Sequence, residues 1–258
     1  MTLGISVTTA DRICEIRFDR AAKKNAITVA MYAAMRDALR AAAADPAVRV
    51  VLFTAEGDSF TAGNDLADFL AAGDADEPAP DEAPVHGFLE ALATAAKPVV
   101  AAVAGNAVGI GTTMLLHCDI VVAATTARLQ VPFVNLGLVP EAASSLLLPR
   151  LVGHQRASAM VLLGEVIDAA TALATGLVNR VVSPESLDAE ARAVATALAA
   201  KAPTAVRLAK ALLKGASAAT MARMAEENRH FAAQLRSAEC KEAVTAFFEK
   251  RAPRFDSA

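Results

Sequence analysis

The sequence has no tryptophan, a single tyrosine and only 4% aromatic residues overall. A core filled by large rings is thereby excluded, so the 55% hydrophobic fraction has to pack as layers of Ala, Val and Leu. Such small aliphatic surfaces also suit burial against copies of the same chain. Cysteine is scarce: Cys14, Cys118 and Cys240 are odd in number, far apart, and without CxxC or Cys/His spacing. That argues against a disulfide framework or a structural zinc and for a reduced, cytoplasmic protein. No apolar run is long enough to cross a bilayer; the longest, "KPVVAAVAGNAVGIG", is broken by a proline and glycines. "MTLGISVTTADRI" lacks a charged-then-apolar leader pattern and "RFDSA" carries no organelle address, so the cytoplasm is again the expectation.

An excess of positive charge is also missing. The net charge is −3 and the pI near 5.8. Basic residues occur as short pairs such as Lys23–Lys24 and Lys250–Arg251. Neither nucleic acid nor an anionic membrane is an expected partner. The stretch after Thr28 carries only Arg36, Asp37 and Arg40 among its alanines, a poor footprint for a phosphate backbone. His86, His117, His154 and His230 are dispersed and build no metal site at helical spacing. "GNAVGIG" (105–111) is neither GxGxxG nor followed by GKS or GKT, which leaves dinucleotide and P-loop readings poorly supported.

What is present is an α/β pattern over 258 residues, enough for one large domain or a core with an appendage. "ICEIRFD" (13–19) alternates as a half-buried strand does, and "VRVVLFTAEG" (48–57) is continuously apolar, as in a strand covered on both faces. Between them Thr28 is placed to cap a helix whose Met31, Met35 and Leu39 share one face. A helix over 85–96, a strand in "KPVVAAVAG", a helix in "GIGTTMLLHCD" and a strand in "IVVAA" follow. "DAATALATGLVNRVV" predicts a helix ending at Gly176 and a returning strand; from about Leu187 the pattern is helical. The acidic, proline-rich "AAGDADEPAPDEAP" (71–84) reads as a loop that gates a pocket.

Two glycine-bearing turns, "SFTAGNDL" (59–66) and "GNAVGIG", each follow a buried strand. Glycine lets backbone approach a ligand closely, and two outward N–H groups aimed at one point would stabilise an enolate; alone, either turn need only end a strand. Then comes "LGLVPEAASSLLLP" (136–149), in which Glu141 is the one charge in an apolar stretch. An ionised carboxylate buried there is costly unless paired or protonated. So Glu141 either begins a helix at the surface or serves as an acid or base in a dry pocket. Pro140 favours the first position of a helix, which places Glu141 in that helix's first turn. Asp65 and Asp119 read as backbone-orienting groups, Ser144 and Ser145 as donors near Glu141, and Asn135 as a turn residue.

"FTAGNDL", "KPVVAAVAGNAVGIGTTMLLHCDIVVA", "VPFVNLGLVPEAASSLLLPRLVG", "ATGLVNRVV" and "AFFEKRAPRF" occur in an order that resembles the crotonase superfamily of enoyl-CoA hydratases and isomerases over nearly the whole chain. The resemblance implies a crotonase-like spiral of ββα units over 1–186, with a helical C-terminal trimerisation region over 187–258. It implies a homotrimer or homohexamer, acyl-CoA thioester substrates, and no cofactor beyond the CoA of the substrate. By position, it implies backbone donors at Asn64 and Ile110, with Ala62 and Gly63 lining the adenine and pantetheine path and Gly109 at the second turn. Lys24 would approach a CoA phosphate, with Phe248 and Lys250 reaching towards CoA. Leu66, Phe69, Leu70 and Phe88 would wall the acyl pocket.

The positions of the two hydratase glutamates hold Thr113 and Phe133, and neither can act as a carboxylate base. "PFVNLGLVPEAASS" instead resembles the peroxisomal-type 3,2-enoyl-CoA isomerases, whose base falls at Glu141. A double-bond shift needs only one such group, taking a proton at C2 and returning it at C4. An isomerase is therefore expected, ahead of a hydratase directing water with Glu141 and of a non-catalytic acyl-CoA binder.

Overall fold

The computed structural model describes residues 4–66, 84–215 and 217–255. Phe69 and Leu70, and nearly all of the acidic loop at 71–84, lie outside the described residues.

The chain begins as an antiparallel hairpin, β1 (Ile5–Ala10) and β2 (Ile13–Phe18), followed by α1 (Val29–Ala44) and β3 (Val50–Ala55). Thr28 caps α1 by accepting the Met31 N–H, and Met31, Met35 and Leu39 are buried, as their spacing predicts. Next come α2 (Pro84–Ala93), β4 (Val99–Val103), β5 (Asn106–Val108) and the short α3 (Ile110–Thr113), then β6 (Ile120–Ala124) and β7 (Arg128–Gln130). The strand order β1-β2-β3-β4-β6 is closed by β9 (Arg180–Val182), all neighbours after the hairpin being parallel.

A second, smaller sheet explains the spiral. β5 and β7 pair in parallel, and β8 (Ile167–Asp168) adds antiparallel. Isolated parallel bridges, Ile27 with Asn64 and Thr61 with Ala107, extend the same stacking one and two steps earlier in the chain. β2, β3, β4 and β6 are thus each followed by a short extended segment in the second layer. This is the ββα progression that the resemblance implies. The second-layer strands span two or three residues, too few to show a hydrophobic period in the sequence.

The large sheet is covered on both faces, which is why β3 is apolar throughout. Val51 and Phe53 face a large core that includes α1 and α2. Val50 and Leu52 face a smaller cluster formed with Leu187, Ala191, Val194 and Ala195 of α7 (Leu187–Ala199). Between β7 and α7 lie α4 (Ser144–Val152), α5 (His154–Leu162) and α6 (Ala169–Ala174). Gly176 follows α6 at φ +79°. The chain ends with α8 (Pro203–Lys214), α9 (Ala218–Leu235) and α10 (Ala238–Glu249). Among the described residues, no helix is long and apolar enough to cross a membrane.

Candidate active site

Both glycine turns hang from Thr61. Its backbone N–H donates to Asn106 O (2.9 Å), and its carbonyl accepts from Val108 N (3.0 Å), which ties the first turn to β5. Its hydroxyl donates to Asn25 O (2.7 Å) and accepts the Gly63 N–H (3.0 Å). Gly63 sits at φ +91°, and a Cβ there would stand 3.0 Å from Val108 O, so glycine is required on both counts. In the bridge to Ile27, Ile27 N donates to Gly63 O and Asp65 N to Ile27 O. The Asn64 N–H therefore points away from that bridge. Neither this N–H nor that of Ile110, the first residue of α3, has an acceptor among the described residues.

Asn64 and Ile110 wall the same cleft, of about 400 Å³. Ala62, Gly63, Leu66, Gly109 and Phe133 join them there, so seven of the sequence-expected positions come together. Others do not. Lys24 is exposed and paired with Asp58 at 2.7 Å. Phe88 is fully buried in the core between Tyr32 and Phe53, with ring centroids 5.6 and 6.4 Å away, because its face of α2 packs on α1 and the sheet. Phe248 and Lys250 do not reach the cleft; Phe247 and Arg251 line it instead, with Ala243 one turn earlier. A slip of one residue turns a helical side chain by about 100°, enough to change its face. The pair Ala243–Phe247, four residues apart, was the readable signal for that helical face, whereas Arg251 lies past the helix end, after the left-handed Lys250. Gln130, Asn135 and Leu138 are further wall residues; of these, the sequence offered only a turn role for Asn135.

Glu141 is buried, only 4% exposed, and its Oε1 has no hydrogen-bond partner among the described residues. It is not in the first turn of a helix. Ala142 and Ala143 take positive φ values of 61° and 55°, and α4 starts only at Ser144, so Glu141 stands on a tight turn ahead of it. The helix dipole that would lower its pKa is correspondingly less direct, and burial dominates. Desolvation first, and the charge of Glu227 second, push Glu141 up to about 8. Glu141 is not among the described residues walling the cleft, but its charge acts on Tyr32, which is hydrogen-bonded to the cleft residue Asn64. The buried Tyr32 hydroxyl donates to Asn64 Oδ1, and its own pKa is raised by burial and then by the charge of Glu141. Tyr32 and Glu227 were not singled out in the sequence.

Thr113 is fully buried with an unpartnered hydroxyl, and Phe133 stacks edge-on with Phe231 at 6.3 Å. Neither offers a second carboxylate. The arrangement can accept negative charge at two main-chain amides and move one proton through a carboxyl of high proton affinity. Asp119 accepts the Val99 N–H (2.7 Å) and pairs with Lys210 (2.6 Å), orienting backbone, while Asp65 ion-pairs with Arg20 (2.7 Å). Among the described residues, no three His, Cys, Asp or Glu side chains gather where a metal could be held.

Comparison with known proteins identifies the family. Residues 8–258 match the family model described as "Enoyl-CoA hydratase/isomerase". The chain is 35% identical over 251 residues to enoyl-CoA delta isomerase 2 of Rattus norvegicus, covering 96% of this chain and 64% of that longer protein. It is 36% identical to crotonyl-CoA hydratase of Syntrophomonas wolfei, over 98% of each. The crystal structure of an enoyl-CoA hydratase/isomerase from Pseudoalteromonas atlantica T6c superposes with a TM-score of 0.91 at 45% identity, covering 98% of this chain and 99% of that one. The spiral described above is thus the crotonase fold.

Proposed function

The chain belongs to the enoyl-CoA hydratase/isomerase family, and we propose that within it this protein is an isomerase, moving the double bond of a 3-enoyl-CoA to the 2-position. One observation carries this reading: Glu141 is buried with an oxygen free of partners among the described residues, while the positions of the hydratase glutamates hold Thr113 and Phe133.

In the proposed reaction the thioester oxygen accepts the N–H groups of Asn64 and Ile110. Charge that develops on it is thereby stabilised, an effect typically worth about 10²–10³ in rate for each donor. Glu141 takes a proton from C2; that C–H bond's electrons form a C1–C2 double bond as the carbonyl pair moves onto the thioester oxygen, giving a dienolate. The carbonyl then re-forms, the C1–C2 pair becomes the C2–C3 double bond, and the former C3–C4 pair takes the proton back from Glu141 at C4. A carboxyl raised to about 8 is a stronger base than an ordinary glutamate, and at about pH 7 roughly a tenth of it is still ionised. The chemistry requires no metal or redox cofactor, since CoA arrives with the substrate. Assembly as a homotrimer or a hexamer is part of the proposal, supported by the exposed Leu208, Leu212 and Leu213 of α8.

The similarity to a crotonyl-CoA hydratase favours a second reading, in which Glu141 directs water onto a 2-enoyl-CoA. Two assays separate them. Conjugated thioester formed from a 3-enoyl-CoA supports the isomerase; 3-hydroxyacyl-CoA formed from a 2-enoyl-CoA, with no isomerisation, supports the hydratase. Glu141→Gln is expected to lower isomerisation about 10²–10⁴-fold. Acyl-CoA binding without turnover, unchanged by that substitution, would mark a non-catalytic binder.

A further inference from the structure

The segment that presents Glu141 is strained. Ala142 and Ala143 are consecutive left-handed residues, a conformation in which the Cβ crowds the following carbonyl. Neither methyl side chain can hold itself there. Strain of this kind persists only where the surroundings over-determine it.

Two buried side chains supply the restraint. On one side, His117, in the 3-10 turn Met114–His117, donates from Nε2 to the Ala142 carbonyl at 2.8 Å. On the other, Glu227 of α9 accepts the Ala143 N–H at 2.6 Å and the Ser145 N–H at 2.9 Å, one on each carboxylate oxygen. Glu227 is 5% exposed, although it belongs to an 18-residue helix near the end of the chain. Its target, α4, has no side-chain cap of its own, since Ala143 occupies the capping position. Glu227 thus performs from another helix the service that a local Ser or Asp usually gives.

We infer that Glu227 is a positioning residue of the reaction: gripping the Ala143 and Ser145 amides, opposite the His117 contact, it holds the turn that aims Glu141. The inference rests on the acid/base reading of Glu141. It also has an electrostatic side. Glu227 from α9 and Tyr32 from α1 are the titratable groups coupled to Glu141, while Arg223 lies beside Glu227, donating to Ser145 Oγ at 3.2 Å. Burial raises the pKa of Glu227 too, but the amides, the Ser145 hydroxyl and Arg223 oppose that rise. Glu227 therefore ionises first, and its negative charge increases the proton affinity of Glu141.

The test compares the whole protein with its Glu227→Gln, Glu227→Asp, Glu141→Gln and doubly substituted Glu141→Gln/Glu227→Gln variants. The infrared band of a protonated carboxyl, identified as the one missing in Glu141→Gln, is followed against pH beside kcat and KM for a 3-enoyl-CoA. Glu227→Gln should move the band's midpoint to lower pH and reduce kcat on the order of 10²-fold with KM little changed. In the Glu141→Gln background it should cost almost nothing more, since the two residues act as a unit. Glu227→Asp keeps the charge but shortens the reach, so the midpoint should stay near the parent's while kcat falls; this variant decides the matter if Glu227→Gln does not fold. An unmoved midpoint in Glu227→Gln, losses that multiply in the double variant, or a fully active Glu227→Asp would each overturn the inference. Should Glu141→Gln be as active as the parent, the acid/base reading fails, and the band alone judges whether Glu227 governs Glu141.

Discussion

The hydroxyl of Tyr32 donates to Oδ1 of Asn64, joining α1 to the turn that carries one of the two free amides. A side chain fixed in this way also limits rotation of the peptide plane next to it. Tyr32→Phe removes the bond and keeps the ring in its contact with Phe88. A net hydrogen-bond contribution of about 0.5–1.5 kcal/mol corresponds to a loss of roughly threefold to tenfold in kcat. Steady-state kinetics on a 3-enoyl-CoA would show it, and an unchanged kcat would mean that Asn64 is held by its backbone alone.

Burial makes Glu141 a liability for stability as pH rises. Unfolded, it ionises near its ordinary 4.5; folded, near about 8. Between these values the folded state keeps a proton that the unfolded chain has lost. The stabilisation present below 4.5 is therefore lost as pH climbs through 8. Glu141→Gln should gain on the parent as the solution becomes alkaline, by on the order of a few kcal/mol, read from urea midpoints. Parallel curves for the two proteins would show that Glu141 titrates as an ordinary carboxyl.

His117 behaves in the opposite sense. Burial pushes it down from 6.5 to about 4, against the pull of its bond to Ala142 O. The unfolded chain binds a proton at this site where the folded one does not, so the stability present above 6.5 is lost as pH falls through 4. His117→Asn should flatten the acid side of the stability profile. A profile as steep as the parent's would place the acid sensitivity elsewhere.

Gly109 immediately precedes the Ile110 amide and adopts φ +56°, ψ −116°, a region open almost only to glycine. A Cβ there would meet nothing nearer than Phe133 Cε1 at 3.8 Å, so space is not the obstacle. Gly109→Ala should cost about 1–3 kcal/mol of stability through backbone strain. If the backbone relaxes by turning the amide, kcat falls about 10²-fold, as for loss of a donor. Retained activity with the full stability loss would show that the amide keeps its aim.

At the C-terminus, Phe247 of α10 and Arg251 just past its end face the cleft, and Phe248 and Lys250 do not. Arg251→Ala should raise KM for an acyl-CoA about threefold or more, whereas Lys250→Ala should leave it unchanged. The reverse pattern would restore the sequence-based assignment.

Long elements with a clear period were legible from the residues alone. The alternation of 13–19, the doubly buried 48–57 and the Thr28-capped helix all appear where their patterns place them. The second sheet was not, because strands of two or three residues carry no period and are recognised only by their partners. The oddity of Glu141 was visible as a charge in an apolar run, but its turn was misread. Pro140 signals a helix start, and nothing local in Ala142–Ala143 announces a left-handed pair. Glu227 was invisible for a different reason. A glutamate within a polar helix reads as solvated, and the amides that it holds lie more than eighty residues earlier in the chain.

Thr61 has a consequence for changing what this scaffold does. Because a single residue's main chain and hydroxyl link both glycine turns, the spacing of the two turns is inherited from the sheet rather than chosen by the residues at the cleft's rim. Redesign towards another acyl transformation should leave 59–66 and 105–111 untouched and exchange only positions 113, 133 and 141. Chemistry here is a replaceable fitting on a fixed mount.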